Sequence, residues 1–163
     1  MPALHKPKDF HATVRWQRGA AVFTDGRYPR SHVWVFDEGV EVPASAAPAC
    51  MPQPLSRPDA VDPEEALVAA ASSCHMLFAL DFARRAGFRV ESYEDAAHGV
   101  LSPNEKGRLF MSRITLRPVM VFSGENIPLG EDLTRLHHLA HDACYIAHSL
   151  RAEISILPQM RVA

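Results

Sequence analysis

The sequence predicts an α+β domain in the order β-β-β-α-β-β-α-β, two main helices packed on antiparallel sheet. Two observations predict it. Stretches with period-two alternation of apolar and polar residues stand near both ends of the chain. Two longer stretches with helical start and stop signals, about 62–87 and 130–150, lie between them with a hairpin-like segment separating the pair. At 163 residues the chain matches one domain over 1–163. It divides into an N-terminal sheet about 10–37, a proline-rich connection about 43–61, and a helix-hairpin-helix-strand region about 62–158.

In order, Phe10, Ala12, Val14 and Trp16 alternate with His11, Thr13 and Arg15, the period of a half-buried strand. Ala20–Thr24 and Ser31–Phe36 read as two more strands, separated by the turn-forming Asp25-Gly26 and Tyr28-Pro29. Five prolines fall between Pro43 and Pro58 without periodicity, which predicts an irregular connection. Such a connection either crosses to a partner subunit or lines a site.

The first helix opens with Asp62 as N-cap, Pro63 at the first helical position, and Glu64 and Glu65 at the positive end of the dipole; Gly87 stops it. It is either one rod or two segments broken near Ser72-Ser73. At 100° per residue Leu67, Ala70, Cys74, Phe78 and Asp81 share a stripe, so Cys74 is expected to face what the helix packs against. Val90–Leu101 and Leu109–Phe122 read as a long hairpin around the turn Ser102–Gly107, with Pro118 marking an edge or bulge. A second helix over 130–150 and a closing strand, in which Ala152, Ile154 and Ile156 alternate with polar residues, complete the chain.

Composition narrows the function. With 47% apolar and 22% charged residues and a net charge of −2, the chain is that of a soluble globular protein with no electrostatic reason to bind nucleic acid or an anionic membrane. The segment 1–8 is positive but lacks the apolar core of a secretory signal. The longest uncharged run, Ala66–Leu80, is too short and too polar to span a bilayer. A cytoplasmic protein is expected, with its 3 cysteines reduced at rest and any disulfide transient.

Cys74 and Cys144 lie on the two main helices. A cysteine in such a place is either a small packed hydrophobe or a reactive thiol. Spacing alone does not show that the two meet. The run Asp62-Pro63-Glu64-Glu65, Cys74 ten residues after Glu64, the helix exit Ala86-Gly87-Phe88, and Ala143-Cys144 through Ser149-Leu150 before a terminal strand resemble the OsmC and Ohr family over about residues 10–158. These are the osmotically inducible protein C and organic hydroperoxide resistance proteins.

The resemblance implies an intertwined homodimer of OsmC-like fold. It implies a stress-response peroxidase that reduces organic hydroperoxides and uses no bound cofactor or metal. Cys74 would be the peroxidatic thiolate that becomes a sulfenic acid. Cys144 would resolve it to a disulfide, reopened by a dithiol reductant such as a lipoyl protein or thioredoxin. Glu64 would hold an arginine over the thiolate, and that arginine is Arg30 first and Arg18 second.

Two physical requirements bear on these roles. Cys74 is too far into its helix for the dipole to lower its pKa, so an outside cation is required. Glu64 stands ~15 Å up a straight rod from Cys74. It therefore acts through a helix break, a bridging arginine, or a partner subunit.

Four features depart from the family pattern or compete with it. Tyr145 stands where the family often has a proline after the resolving cysteine, and His75 directly follows Cys74. His137, His141, Cys144 and His148 share one face of the second helix with i, i+4 spacings, which opens the alternative of an inert binding protein that holds a metal or a small apolar ligand. Cys50, in the proline-rich connection, lies outside the pattern and is expected to have no role beyond surface oxidation. Phe78, Met76, Leu77 and Ile146 near the cysteines favour an organic hydroperoxide over hydrogen peroxide.

Overall fold

The computed structural model describes residues 6–163, so the first five residues of the N-terminal segment read for a secretory signal lie outside the described residues. The chain forms two compact units, one ending at Pro63 and the other running Glu64–Ala163.

In the N-terminal unit, β1 (Thr13–Arg15), β2 (His32–Val35) and β3 (Glu41–Ala44) form an antiparallel sheet in the order β1-β2-β3. Three strands were expected, but the expected strand at 20–24 does not form. That stretch is a turn region in which Phe23 has φ 76, flanked by Gly19 and Gly26, also at positive φ. The third strand instead follows β2. A 3-10 turn at Asp37–Gly39 reverses the chain, with Gly39 at φ 77 and a Phe36 N–H to Val40 carbonyl bond of 2.9 Å. Pro43 is tolerated because β3 is an edge strand. The proline-rich connection returns to β3: Ser45 N–H donates to Val61 O, and Val61 N–H to Pro43 O, each at 3.0 Å.

α1 (Pro63–Arg85) is one unbroken helix; the alternative break at Ser72-Ser73 does not occur. Arg84 and Arg85 in its last turn pair with Asp81 at 2.8 and 2.6 Å. Gly87 at φ 79 ends it, with Phe88 N–H bonded to Ala83 O and Gly87 N–H to Arg84 O. The buried stripe is Ala71, His75, Ala79 and Ala83, one position round from the expected Leu67, Ala70, Cys74, Phe78 and Asp81. Because α1 is apolar on most of its circumference, periodicity could not choose the face. Alanines form it because they allow close approach.

The expected long hairpin is present, but each arm divides. β4 (Arg89–Asp95) pairs with β7 (Pro118–Ser123), and β5 (His98–Pro103) with β6 (Leu109–Leu116). β8 (Glu153–Ile156) and β9 (Gln159–Val162) then join β6 and β7 in parallel, giving the sheets β5-β6-β8 and β4-β7-β9. Pro118 is not at an edge: β7 is the central strand, and the proline is accepted as its first residue.

α1 serves both sheets. Ala71 packs with Ile114 and Leu116 of β6, while Ala79 and Ala83 pack with Met120 and Phe122 of β7 and with Leu133, Leu136 and Ala140. By length and composition α1 could cross a membrane. Its buried stripe of Ala71, His75, Ala79 and Ala83 accounts for only part of that composition, since 22% of the apolar window is buried. At Gly99 of β5 an added Cβ would stand 2.5 Å from Val68 Cγ2 and 2.8 Å from Met111 Sδ. Val68 is β-branched and stiff, so Gly99→Ala is expected to lower stability by about 1–3 kcal/mol, read as an earlier urea midpoint at unchanged slope.

The second helix does not run to residue 150. α2 (Gly130–Ala143) stops at Cys144, whose φ −72 and ψ 108 are extended, and α3 (Tyr145–Ser149) starts there.

Candidate functional site

The break between α2 and α3 places Cys144. Its N–H closes α2 on His141 O at 3.1 Å, and its Sγ accepts the Ala147 N–H at 3.4 Å at the start of α3. No proline is needed for this turn, so Tyr145 fills that position without loss of the bend. The thiol is buried, and the Cys74 thiol is near enough to raise its pKa. Burial, and then the neighbouring Cys74, push the Cys144 pKa up to about 11, against smaller lowering by the Ala147 and Ile146 N–H groups. Both cysteines are free thiols, and Cys74 is half-buried beside the alanine stripe.

Two further contacts join the same elements. His75 of α1 and His137 of α2 are buried and share a hydrogen bond, Nε2 to Nδ1, of 2.8 Å, with ring planes 14° apart. Phe78 of α1 meets Tyr145 of α3 edge-on at 5.2 Å between ring centres. Burial lowers both histidine pKa values to about 4; at His75, His141 lowers it further and Asp95 opposes. Both imidazoles are therefore neutral near pH 7.

The other expected site residues stand as follows. Glu64 is in the first turn of α1. Since that helix is unbroken, a kink does not bring Glu64 to Cys74. Arg30 lies in the N-terminal unit, with its guanidinium 3.5 Å over the Tyr28 ring and donating to Tyr28 O and, at 3.4 Å, to Gly26 O. It lines an apolar cavity of about 540 Å³ with Val14, Trp16, Phe23 and Tyr28. The three aromatic rings of that cavity pack at 4.6–5.7 Å. Arg18 donates to Ala21 O and does not line the cavity. Cys50 is exposed in the connection.

The expected histidine face does not survive the break. His137 turns to His75, and His148 moves to α3, where its Nε2 bonds Asp142 O at 2.7 Å. Among the described residues no three His, Cys, Asp or Glu side chains converge as metal ligands.

Sequence reasoning missed the His75–His137 pair and the aromatic cavity. His75 was legible only as an odd neighbour of Cys74. Phe23 was assigned to a strand that its positive φ forbids.

The family model of OsmC-like proteins matches residues 56–157. The chain belongs to the OsmC-like family. An OsmC-like protein of unknown function from Vibrio cholerae is 44% identical, with 96% of this chain and 100% of that one covered and a TM-score of 0.90. An organic hydroperoxide resistance protein from Elizabethkingia anophelis shares the OsmC-like fold at 16% identity, with coverages of 97% and 99% and a TM-score of 0.65. The organic hydroperoxide resistance protein OhrB of Bacillus subtilis does so at 16% identity, with coverages of 94% and 98% and a TM-score of 0.59. No match was found among curated protein sequences.

Proposed function

We propose that this OsmC-like protein is a cytoplasmic, homodimeric thiol peroxidase that reduces organic hydroperoxides. Membership of the family supports a redox role. The observation that carries the finer reading is the nearness of Cys74, on α1, to Cys144, at the α2–α3 break, where the Cys74 thiol raises the Cys144 pKa. The Cys74 thiolate attacks the terminal peroxide oxygen, the O–O bond breaks, and the leaving alkoxide takes a proton, giving a sulfenic acid and an alcohol. Cys144 then attacks the Cys74 sulfur. Its thiol proton leaves with the sulfenic hydroxyl as water; the share of its raised pKa that comes from the Cys74 thiol goes when that thiol becomes a sulfenic acid, while the share from burial remains and slows this step. A dithiol reductant, a lipoyl or thioredoxin-type protein, reopens the disulfide.

Arg30 is assigned the cation that favours the Cys74 thiolate, and Glu64 the carboxylate that orients it. The cavity of the N-terminal unit that Arg30 lines is apolar and aromatic, the chemistry of a site for an organic ligand. In the test, the reduced protein consumes cumene hydroperoxide in the presence of dihydrolipoamide, with a higher kcat/KM than for hydrogen peroxide. Loss of neither peroxide above the buffer rate would refute the reading.

A second reading is a binding protein with inert cysteines, favoured by the high pKa of Cys144 and by the aromatic cavity. It predicts a stoichiometric passenger in native mass spectrometry that Cys74→Ser leaves in place.

A further inference from the structure

The His75–His137 pair has an unusual hydrogen-bond balance. Two neutral imidazoles carry two N–H protons on four ring nitrogens. One proton lies in the 2.8 Å bond between them. The other sits on His75 Nδ1 or His137 Nε2, and both atoms are buried without a protein partner among the described residues. In either tautomer the pair therefore presents one buried donor and one buried acceptor that no protein group satisfies. Such a group costs about 1–3 kcal/mol, while the shared bond contributes about 1 kcal/mol. Two apolar side chains in the same space would serve stability at least as well.

What the pair supplies that an apolar contact would not is register. Apolar surfaces slide, whereas a hydrogen bond between rings 14° from parallel holds one geometry. The register it holds is that of the two elements carrying the thiols. His75 is the residue after Cys74 on α1, so the two side chains are separated by ~1.5 Å of rise. His137 is on α2, which ends at Cys144 two turns later. His141 of α2 and Asp95 of β4 act on the His75 pKa in opposite directions, the first lowering it and the second raising it.

We infer that the His75–His137 hydrogen bond is a positioning device for the disulfide step, fixing how α1 meets α2 so that Cys144 Sγ stands against Cys74 Sγ. The two histidines act through the helices and do not touch the reacting atoms. The inference rests on the thiol-redox reading above, and it is tested without peroxide.

The test oxidises the whole reduced protein with diamide at pH 7.5. The two thiols lose their hydrogens to the N=N bond, forming a disulfide and a hydrazine, and the Cys74–Cys144 linkage is timed by mass spectrometry. The double variant His75→Leu/His137→Leu is expected to melt no lower than the wild type, yet to form the disulfide at least ~10-fold more slowly. In His137→Asn the side-chain amide takes the position of Nδ1 and restores the rate to within ~3-fold. A double variant that closes the disulfide at the wild-type rate overturns the inference, as does an asparagine variant as slow as the double variant.

If the double variant does not fold, His137→Asn is compared with His137→Gln, whose amide occupies the Nε2 position away from His75. A fast asparagine and a slow glutamine support the inference, and equal rates overturn it. Failure of the wild type to reduce cumene hydroperoxide while it still closes the disulfide with diamide would refute the peroxidase reading alone.

Discussion

Cys74→Ser is expected to reduce hydroperoxide consumption to the buffer rate, a loss of at least ~100-fold in kcat/KM, because a serine hydroxyl does not replace a thiolate as nucleophile. Cys144 does not take over. With a pKa of about 11, roughly one molecule in a few thousand carries it ionised at pH 7.5. Cys144→Ser gives a different defect. The first turnover proceeds, and Cys74 stops as a sulfenic acid that dimedone traps at one equivalent per chain, with no disulfide. Rapid-mixing consumption of cumene hydroperoxide, followed by dimedone labelling and mass spectrometry, reads both variants. If Cys144→Ser gave the null and Cys74→Ser kept the first turnover, the assigned roles would be reversed.

The buried histidine pair predicts the second large effect, a loss of stability in mild acid. In the unfolded chain each imidazole titrates at about 6.5. In the folded protein burial holds each near 4. The folded values lie below the unfolded ones, so between pH 6.5 and 4 the unfolded state binds more protons and stability falls as pH falls. The contribution is complete above pH 6.5. Each imidazole accounts for at most about 3 kcal/mol, and the two are not additive because they share a proton. The urea midpoint is therefore expected to be level from pH 8 to 7 and to drop steeply from 6.5 to 4.5. The His75→Leu/His137→Leu variant shows a much shallower decline. A wild-type midpoint independent of pH across that range would contradict neutral burial of the pair.

The sequence carried the class and most of the framework, and the failures have specific physical origins. Asp62-Pro63 and Gly87 marked α1 because capping is local chemistry, written in the residues at the ends. The face of α1 was misread because most of its circumference is apolar, and the sheets it packs on lie far along the chain. The strand expected at Ala20–Thr24 had the right residue types, but the positive φ at Phe23 and the glycines on either side make a turn region there. β9 was missed because Pro158 looks like an end when it is only a corner between two parallel pairings.

At the site, the two cysteines were legible as residues, but their nearness was not. It depends on α2 breaking at Cys144, which has neither proline nor glycine to announce it. The His75–His137 bond joins residues 62 positions apart and leaves no local signature.

The central claim is that Cys74 and Cys144 form one redox pair, and the direct measurement is the disulfide map after one equivalent of cumene hydroperoxide. The reduced protein is treated, alkylated, digested without reductant and read by mass spectrometry. The account predicts a Cys74–Cys144 linked peptide in near-stoichiometric yield, with Cys50 alkylated as a free thiol. Recovery of Cys74 and Cys144 as alkylated thiols, or a linkage running instead to Cys50, would contradict it.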